Sequence, residues 1–235
     1  MDTLYLVMPA YNEEENIEQV VRSWYGVLAE ASEESRLVVA DSGSTDRTHE
    51  LLMALQTELP QLEILEHTGK QHGPKLMALY QFAAEQGSDY IFQTDSDGQT
   101  DPREFRSFWE RRERYDAVIG NRVDRKDGWQ RALVERVVCL LLRHYFGVKV
   151  PDANAPFRLM KTKAAAGYLE RLPEKYALPN IMLTAFMAAG KEHVLFREIS
   201  FRERAGGENS INIRRIIRIG LRALLEFRYF RRKYF

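Results

Sequence analysis

The chain has 235 residues, 45% hydrophobic and 29% charged, and its 34 Lys+Arg balance 34 Asp+Glu. That length buries a sizeable core in one large domain, or in a nucleotide-binding half with an appended region. Cys139 is the only cysteine, so an intrachain disulfide is excluded, and no signal segment, membrane-spanning apolar run, repeat or low-complexity tract stands out. The balance is uneven: residues 208–235 carry eight Arg/Lys against two Glu, a local +6 that leaves −6 for the rest.

The first strand candidate is 4–8, running into Pro9-Ala-Tyr-Asn-Glu-Glu-Glu-Asn16. Pro9 is expected to stop the ladder, and Asn12 to cap a helix whose apolar positions are Ile17, Val20, Val21 and Trp24. A second strand, 36–40, ends at Asp41-Ser-Gly-Ser-Thr-Asp46, where Gly43 permits a tight turn and a helix can begin near Ser44 or Thr45. Residues 64–66 read as a short third strand, followed by Thr68-Gly-Lys-Gln-His-Gly-Pro-Lys75 and a helix from about 76 to 86. The fourth strand, 91–94, carries the chain into Asp95-Ser-Asp97-Gly-Gln99. Positions i and i+2 of an extended segment share a side, so Asp95 and Asp97 can converge; two such carboxylates suit a hard divalent cation bearing a diphosphate, and a solvated acidic turn is the bland alternative.

Residues 117–120 form a further strand candidate, and Cys139 lies in an apolar run that reads as core. Residues 199–201 read as a strand that places Arg202 and Arg204 before a Gly206-Gly207 turn, where their guanidinium groups could hold phosphate. From Ile211 the chain is a basic amphipathic helix, with Ile213, Ile216, Ile217, Leu221, Leu224 and Phe227 at helical spacing and Arg214, Arg218 and Arg222 in an i,i+4 line. Such a helix can lie on an anionic membrane or pack on this subunit or a partner. No recognition motif accompanies the basic tail, so nucleic-acid binding is not expected.

The alternation of strand, polar loop and helix predicts an α/β fold with its active groups beyond the carboxyl ends of the strands. No loop carries the Gly pattern of a dinucleotide fingerprint or a P-loop. The polar loops at 9–16, 41–46, 68–75 and 95–101 all fall at that edge.

In their order and spacing these loops, with Gly120-Asn-Arg122, Asp152-Ala-Asn-Ala-Pro-Phe-Arg158 and Arg202-Glu-Arg204-Ala-Gly-Gly-Glu-Asn-Ser210, resemble glycosyltransferase family 2. These are inverting nucleotide-sugar glycosyltransferases, and the resemblance, from about residue 4 to 210, is to the polyprenyl-phosphate mannosyl- and glucosyltransferases. It implies a GT-A fold, with a mixed central sheet between helices over 1–210 and the basic amphipathic helix over 211–235. By position, Pro9, Tyr11, Glu13, Asp41, Lys70 and Lys75 are expected to surround the nucleotide, with Asp46 supporting its loop. Asp95, Asp97 and Gln99 resemble the metal motif for Mg²⁺ or Mn²⁺, and Asp97, Arg122, Arg202 and Arg204 are the catalytic candidates. Plain alternatives stand beside these roles: Tyr11 packing, Asp46 capping its helix, and Lys70 and the arginines serving as surface charge.

The implied partners are a GDP- or UDP-sugar donor and a polyprenyl phosphate, with membrane contact or homo-oligomerisation through the last helix and a peripheral place at the cytoplasmic membrane face. Two departures bear on the acceptor. Many relatives have Asp-Pro-Thr-Ser-Gly-Phe-Arg where this chain has Asn154-Ala-Pro156 before Phe157, so Pro156 replaces a flexible glycine. The hydroxyl-acceptor branch usually has a Glu-Asp pair and a Gln-x-x-Arg-Trp pattern, and neither is present; Pro179-Asn180-Ile181 stands near the place of a common acidic residue. These absences favour a phosphate acceptor over a saccharide or other hydroxyl. A non-catalytic nucleotide-binding or membrane-adapter protein is the third reading.

Overall fold

The structure, a computed structural model, describes residues 1–125, 129–203 and 213–235. Among these, seven strands form one mixed sheet: β1 (Leu4–Ala10), β2 (Arg36–Asp41), β3 (Leu62–Leu65), β4 (Tyr90–Thr94), β5 (Ala117–Arg125), β6 (Phe157–Lys161) and β7 (Val194–Phe201). Their spatial order is β3-β2-β1-β4-β6-β5-β7. The first four run parallel, β6 is antiparallel to both β4 and β5, and β7 is parallel to β5. One reversed strand thus joins two parallel halves, and the amino end of β6 meets the carboxyl ends of its neighbours. The described loops that carry sequence-predicted site residues therefore open at one edge of the sheet.

Period-two alternation sends side chains to two separate cores. Leu4, Leu6, Met8, Leu37, Val39 and Phe92 pack against α1 (Ile17–Tyr25), α2 (Thr48–Glu58) and α4 (Phe105–Trp109). Tyr5, Val7, Val38, Ile91 and Ile119 face α3 (His72–Glu85), α5 (Trp129–Phe146), α6 (Thr162–Leu169), α7 (Pro179–Ala189) and α8 (Ile213–Tyr234). Helix α1 buries Ile17, Val20, Val21 and Trp24, the predicted face.

Several boundaries differ from expectation for visible reasons. Strand β1 continues through Pro9 to Ala10, paired with β2, whereas its pairing with β4 ends at Val7↔Gln93. The Pro9 carbonyl accepts from Ser96 Oγ at 2.9 Å, so the proline faces a place where the ladder has already stopped and costs no bond. Asn12 is not a helix cap: it takes a left-handed φ of 54° and its Oδ1 accepts from the Thr45 amide at 2.8 Å, and Asn16 stands at the N-cap of α1. Helix α2 starts at Thr48, because the Asp46 carboxylate accepts from the Thr48 amide (3.0 Å) and hydroxyl (2.6 Å). Helix α3 starts at His72, since Pro74 falls in the first turn, where no intrahelical donor is lost. Of α8, Ala223, Phe227 and Phe230 are buried in the second core, with Phe227 against Phe146 at 5.8 Å and Phe230 against Phe186 at 5.8 Å.

Candidate active site

The first two loops clasp each other. Asp46 also accepts from the Glu14 amide at 3.1 Å, and Glu14 accepts from the Arg47 amide at 3.0 Å. Burial raises the Asp46 pKa, but the Thr48 hydroxyl and amide and the Glu14 amide outweigh it and hold the carboxyl below its ordinary value. Glu13 turns inward, its amide donating to Thr48 Oγ1 at 2.8 Å and its carboxylate accepting from Asn16 Nδ2 at 3.1 Å. Tyr11 is 41% exposed, and Glu14 and Glu15 of the same loop are exposed too.

Asp41, at the end of β2, is buried and engaged on both oxygens: Ser44 Oγ donates to Oδ1 at 2.5 Å, and His49 Nδ1 lies 3.1 Å from Oδ2. Lys70 is exposed and its stem lies across Gly43, whose φ of +74° favours glycine there. Lys75 belongs to α3 rather than to the third loop. It is buried, donates to the Ala10 carbonyl and stands 5.3 Å from the Tyr11 ring centroid. Burial lowers its pKa to about 8, with Asp41 pulling the other way. In this arrangement Lys75 braces the first loop from beneath.

Past β4, Asp95, Asp97 and Gln99 line one cavity of about 310 Å³, with His72, Arg122, Arg131, Glu135, Asn154, Asn180 and Phe201 among its other walls. Asp95 Oδ1 accepts from Gln93 Nε2 at 3.1 Å and has His72 Nε2 at 3.2 Å. Desolvation lowers the His72 pKa, but the Asp95 carboxylate, with Asp97 behind it, outweighs this and raises it. Asp97 Oδ1 accepts from the Gln99 amide at 3.1 Å. Gln99 is buried and clasps Arg202: its carbonyl accepts from the Arg202 amide at 2.9 Å and its Nε2 donates to the Arg202 carbonyl at 2.8 Å. That leaves the Gln99 amide oxygen as the group able to join a metal site. Among the described residues no three His, Cys, Asp or Glu side chains close into a protein-only metal cage. The oxygen donors of Asp95 and Asp97 facing a cavity wide enough for a diphosphate fit a hard dication that takes its other ligands from substrate.

The far wall is built on a buried ion pair. Arg122 donates to Asp152 from Nε at 2.7 Å and from Nη2 at 2.8 Å, with side-chain exposures of 7% and 3%. Glu135 lies 3.5 Å from Arg122 Nη2 and accepts from the Ala153 amide at 2.7 Å. Arg158, fully buried, donates to the carbonyls of Ala155 (3.0 Å) and Asn180 (3.1 Å). It ties the 153–156 turn to the start of α7. Arg202 is half-exposed and its guanidinium pairs with Asp101. Arg204 lies outside the described residues.

The structure thus brings Asp95, Asp97, Gln99 and Arg122 to one cavity. It sets Arg202 beside them through Gln99 and places Pro9 and Asp41 at the ends of β1 and β2, Tyr11, Glu13 and Lys70 on the loops that follow β1 and β3, and Lys75 in the first turn of α3. Sequence reasoning gave no role to His72, Gln93, Glu135 and Asn180. For Gln93 a signal existed: it precedes Asp95 by two positions, so period-two geometry puts both on one side. The other three are joined only by tertiary packing.

A family model described as Glycosyl transferase family 2 matches residues 5–199. The undecaprenyl-phosphate 4-deoxy-4-formamido-L-arabinose transferase of Pseudomonas aeruginosa is 26% identical over 220 residues, 93% of this chain and 63% of that one. The enzyme of the same name from Pectobacterium carotovorum subsp. carotovorum is 26% identical over 169 residues, 70% of this chain and 50% of that one. The chain therefore spans less than two thirds of the length of these relatives. Among solved structures, glucosyl-3-phosphoglycerate synthase from Mycobacterium tuberculosis in complex with Mn²⁺ and UDP-glucose superposes with a TM-score of 0.72 at 20% identity, covering 96% of this chain and 79% of that one. The chain belongs to glycosyltransferase family 2 and has the GT-A fold.

Proposed function

We propose that this family 2 glycosyltransferase catalyses the metal-dependent, inverting transfer of a sugar from a nucleotide-sugar to the phosphate of a polyprenyl phosphate. The observation that carries the choice of acceptor is the state of the cavity's carboxylates. Asp95 and Asp97 sit on the donor side, and Glu135, on the acceptor side, already accepts from the Ala153 amide and flanks Arg122. Among the described residues no further carboxylate lines the cavity, and Asn180 stands on that wall instead. A hydroxyl acceptor needs a base to take its proton, whereas a phosphate arrives anionic and needs cationic positioning, which Arg122, Arg131 and Arg202 supply. The names of the relatives at 26% identity support the same acceptor class.

On this reading Tyr11 and Asp41 receive the base, Asp41 accepting from an N–H of guanine or uracil, while Lys75 holds the Tyr11 loop in place. A Mg²⁺ or Mn²⁺ ion held by Asp95 and Asp97, with the Gln99 amide oxygen beside them, would neutralise charge on the leaving diphosphate. Arg122, anchored by Asp152, fixes the acceptor phosphate opposite the donor.

No helix among the described residues is long and apolar enough to cross a membrane. For membrane contact, the exposed Arg228, Arg231 and Arg232 of α8 stand beside α5, which adds Leu133, Val137 and Leu140 on one exposed stripe ending at His144. Of α8, Phe227 and Phe230 pack inward while Leu225 and Tyr229 are exposed, and the side chains of Ile213, Ile216, Ile217 and Leu221 lie outside the described residues.

The test is nucleotide release by purified protein from a panel of GDP- and UDP-sugars with Mn²⁺ or Mg²⁺, with and without undecaprenyl phosphate. Release that requires the lipid phosphate and disappears in Asp97→Ala is expected. Release stimulated only by saccharides would move the acceptor to a hydroxyl.

A further inference from the structure

Behind Asp95 runs a file of buried polar side chains that the transfer reaction as outlined does not use. Tyr80 Oη donates to Asn180 Oδ1 at 2.7 Å. Asn180 Nδ2 donates to Gln93 Oε1 at 3.1 Å, and Gln93 Nε2 donates to Asp95 Oδ1 at 3.1 Å. Tyr80, Asn180 and Gln93 are 0%, 1% and 0% exposed, so no solvent competes for these bonds. Each donor points toward the carboxylate. The Asn180 backbone is pinned in turn by Arg158 Nη1, 3.1 Å from its carbonyl.

The order matters because an amide has two unlike ends. Left alone, the Gln93 side chain could present its oxygen to Asp95 and repel it. The Asn180 Nδ2 donor occupies the oxygen end of Gln93 and so forces the NH₂ end onto Asp95. Asn180 is oriented by the same logic, since the Tyr80 hydroxyl takes its oxygen. Burial raises the Tyr80 pKa well above its ordinary range, with Asp95 adding to the rise against Arg158, so Tyr80 remains a donor. At the far end Asp95 Oδ1 receives both Gln93 and His72, and Oδ2 is the oxygen left for a further ligand.

We propose that Gln93, oriented by Asn180 and Tyr80, is a positioning residue that locks the rotamer of Asp95 so that one defined oxygen meets the metal and diphosphate. The inference rests on the reading of Asp95 as a metal-binding carboxylate. It assigns to Asn180 a structural duty toward the donor side, although it lines the acceptor wall. It also explains why a neutral amide occupies that place: a carboxylate there would offer Gln93 no donor and would leave its amide free to turn.

The test is Mn²⁺ affinity of the full chain with saturating GDP or UDP, whichever nucleotide the protein binds, read by electron paramagnetic resonance of free Mn²⁺, beside thermal unfolding of the same samples. Asp95→Asn calibrates the site. Gln93→Met, which keeps the volume and removes both bonds, is expected to weaken Mn²⁺ about tenfold, about the effect of one lost buried hydrogen bond to a charged group. Asn180→Asp is expected to weaken it by a similar factor, and Tyr80→Phe by about two- to threefold. Asn180→Asp added to Gln93→Met should weaken Mn²⁺ no further, because both break one file. If Gln93→Met does not fold, the Asn180→Asp and Tyr80→Phe values carry the test alone. Lowered unfolding temperatures with unchanged Mn²⁺ affinity would reduce the file to core packing and overturn the proposal. Unchanged affinity in Asp95→Asn itself would overturn the metal reading and the proposal with it, whereas loss there but not in Gln93→Met or Asn180→Asp rejects the positioning role alone.

Discussion

Replacing Asp152 with alanine strands a guanidinium inside the protein. Arg122 is 7% exposed and holds Asp152 through two bonds of 2.7 and 2.8 Å, while its nearest alternative, Glu135, stands at 3.5 Å and is already bonded to the Ala153 amide. Removing one member of a buried pair costs about 3–5 kcal/mol, because the remaining charge stays desolvated. Glu135 can take up part of that charge, so the lower end, about 3 kcal/mol, is expected. For a chain of this size that is a fall in Tm of about 6–12 °C. Asp152 also accepts from the Asn154 amide at 3.2 Å, so the single variant mixes loss of the pair with loss of the turn. A double-mutant cycle separates them: Arg122→Met combined with Asp152→Ala should recover about 1.5–3 kcal/mol relative to additivity in urea unfolding. Additivity within about 0.5 kcal/mol would show that the pair is a solvated contact and would remove the argument that Asp152 anchors Arg122.

Three further outcomes follow from other parts of the molecule. Gly73→Ala would place a Cβ 2.3 Å from the Ala177 carbonyl oxygen and 2.6 Å from that of Tyr176, both backbone, so a loss of about 2 kcal/mol or more is expected in denaturant unfolding, although alanine favours helices. Lys75 has its pKa lowered from 10.5 to about 8, so the folded state gives up this proton before the unfolded state does, and stability rises with pH across that window. Between pH 7.5 and 9.5 the wild type should gain about 2 kcal/mol relative to Lys75→Met, and equal urea midpoint shifts in both proteins would refute the buried charge. Burial, with Glu135 adding to it, pushes the Cys139 thiol up to about 12, so labelling by an alkylating reagent at pH 8 should be far slower than for an exposed cysteine and should accelerate only on unfolding.

The parts of the fold that obey local rules were legible from residues alone. Ile17, Val20, Val21 and Trp24 have the spacing of one helix face, and α1 buries all four. The strands before the acidic loops read clearly because a short apolar run ends in residues that turn chemistry favours. The boundaries shifted where a side chain competes with the backbone, as Asp46 does at the start of α2. Strand β6, helix α5 and the N-terminal part of β7 were not anticipated. Within β6, Phe157, Leu159 and Met160 are buried on both faces of the sheet, and Arg158 among them is buried as well, so no alternation marks the strand. The site was legible where a carboxylate pair or an arginine stands in a loop. It was not legible where a neutral side chain matters through its partner, because Gln93 and Asn180 are 87 positions apart and meet only in the folded core.

The account turns on the atom that receives the sugar. The most direct measurement is the linkage of the product formed from donor, Mn²⁺ and undecaprenyl phosphate, read by ³¹P nuclear magnetic resonance and by the proton coupling at the anomeric carbon. A new phosphodiester resonance, with the anomeric configuration opposite to that of the donor and no product from Asp97→Ala, is the predicted result. A sugar attached through a hydroxyl with the phosphate monoester untouched, or a product that keeps the donor's configuration, would contradict it.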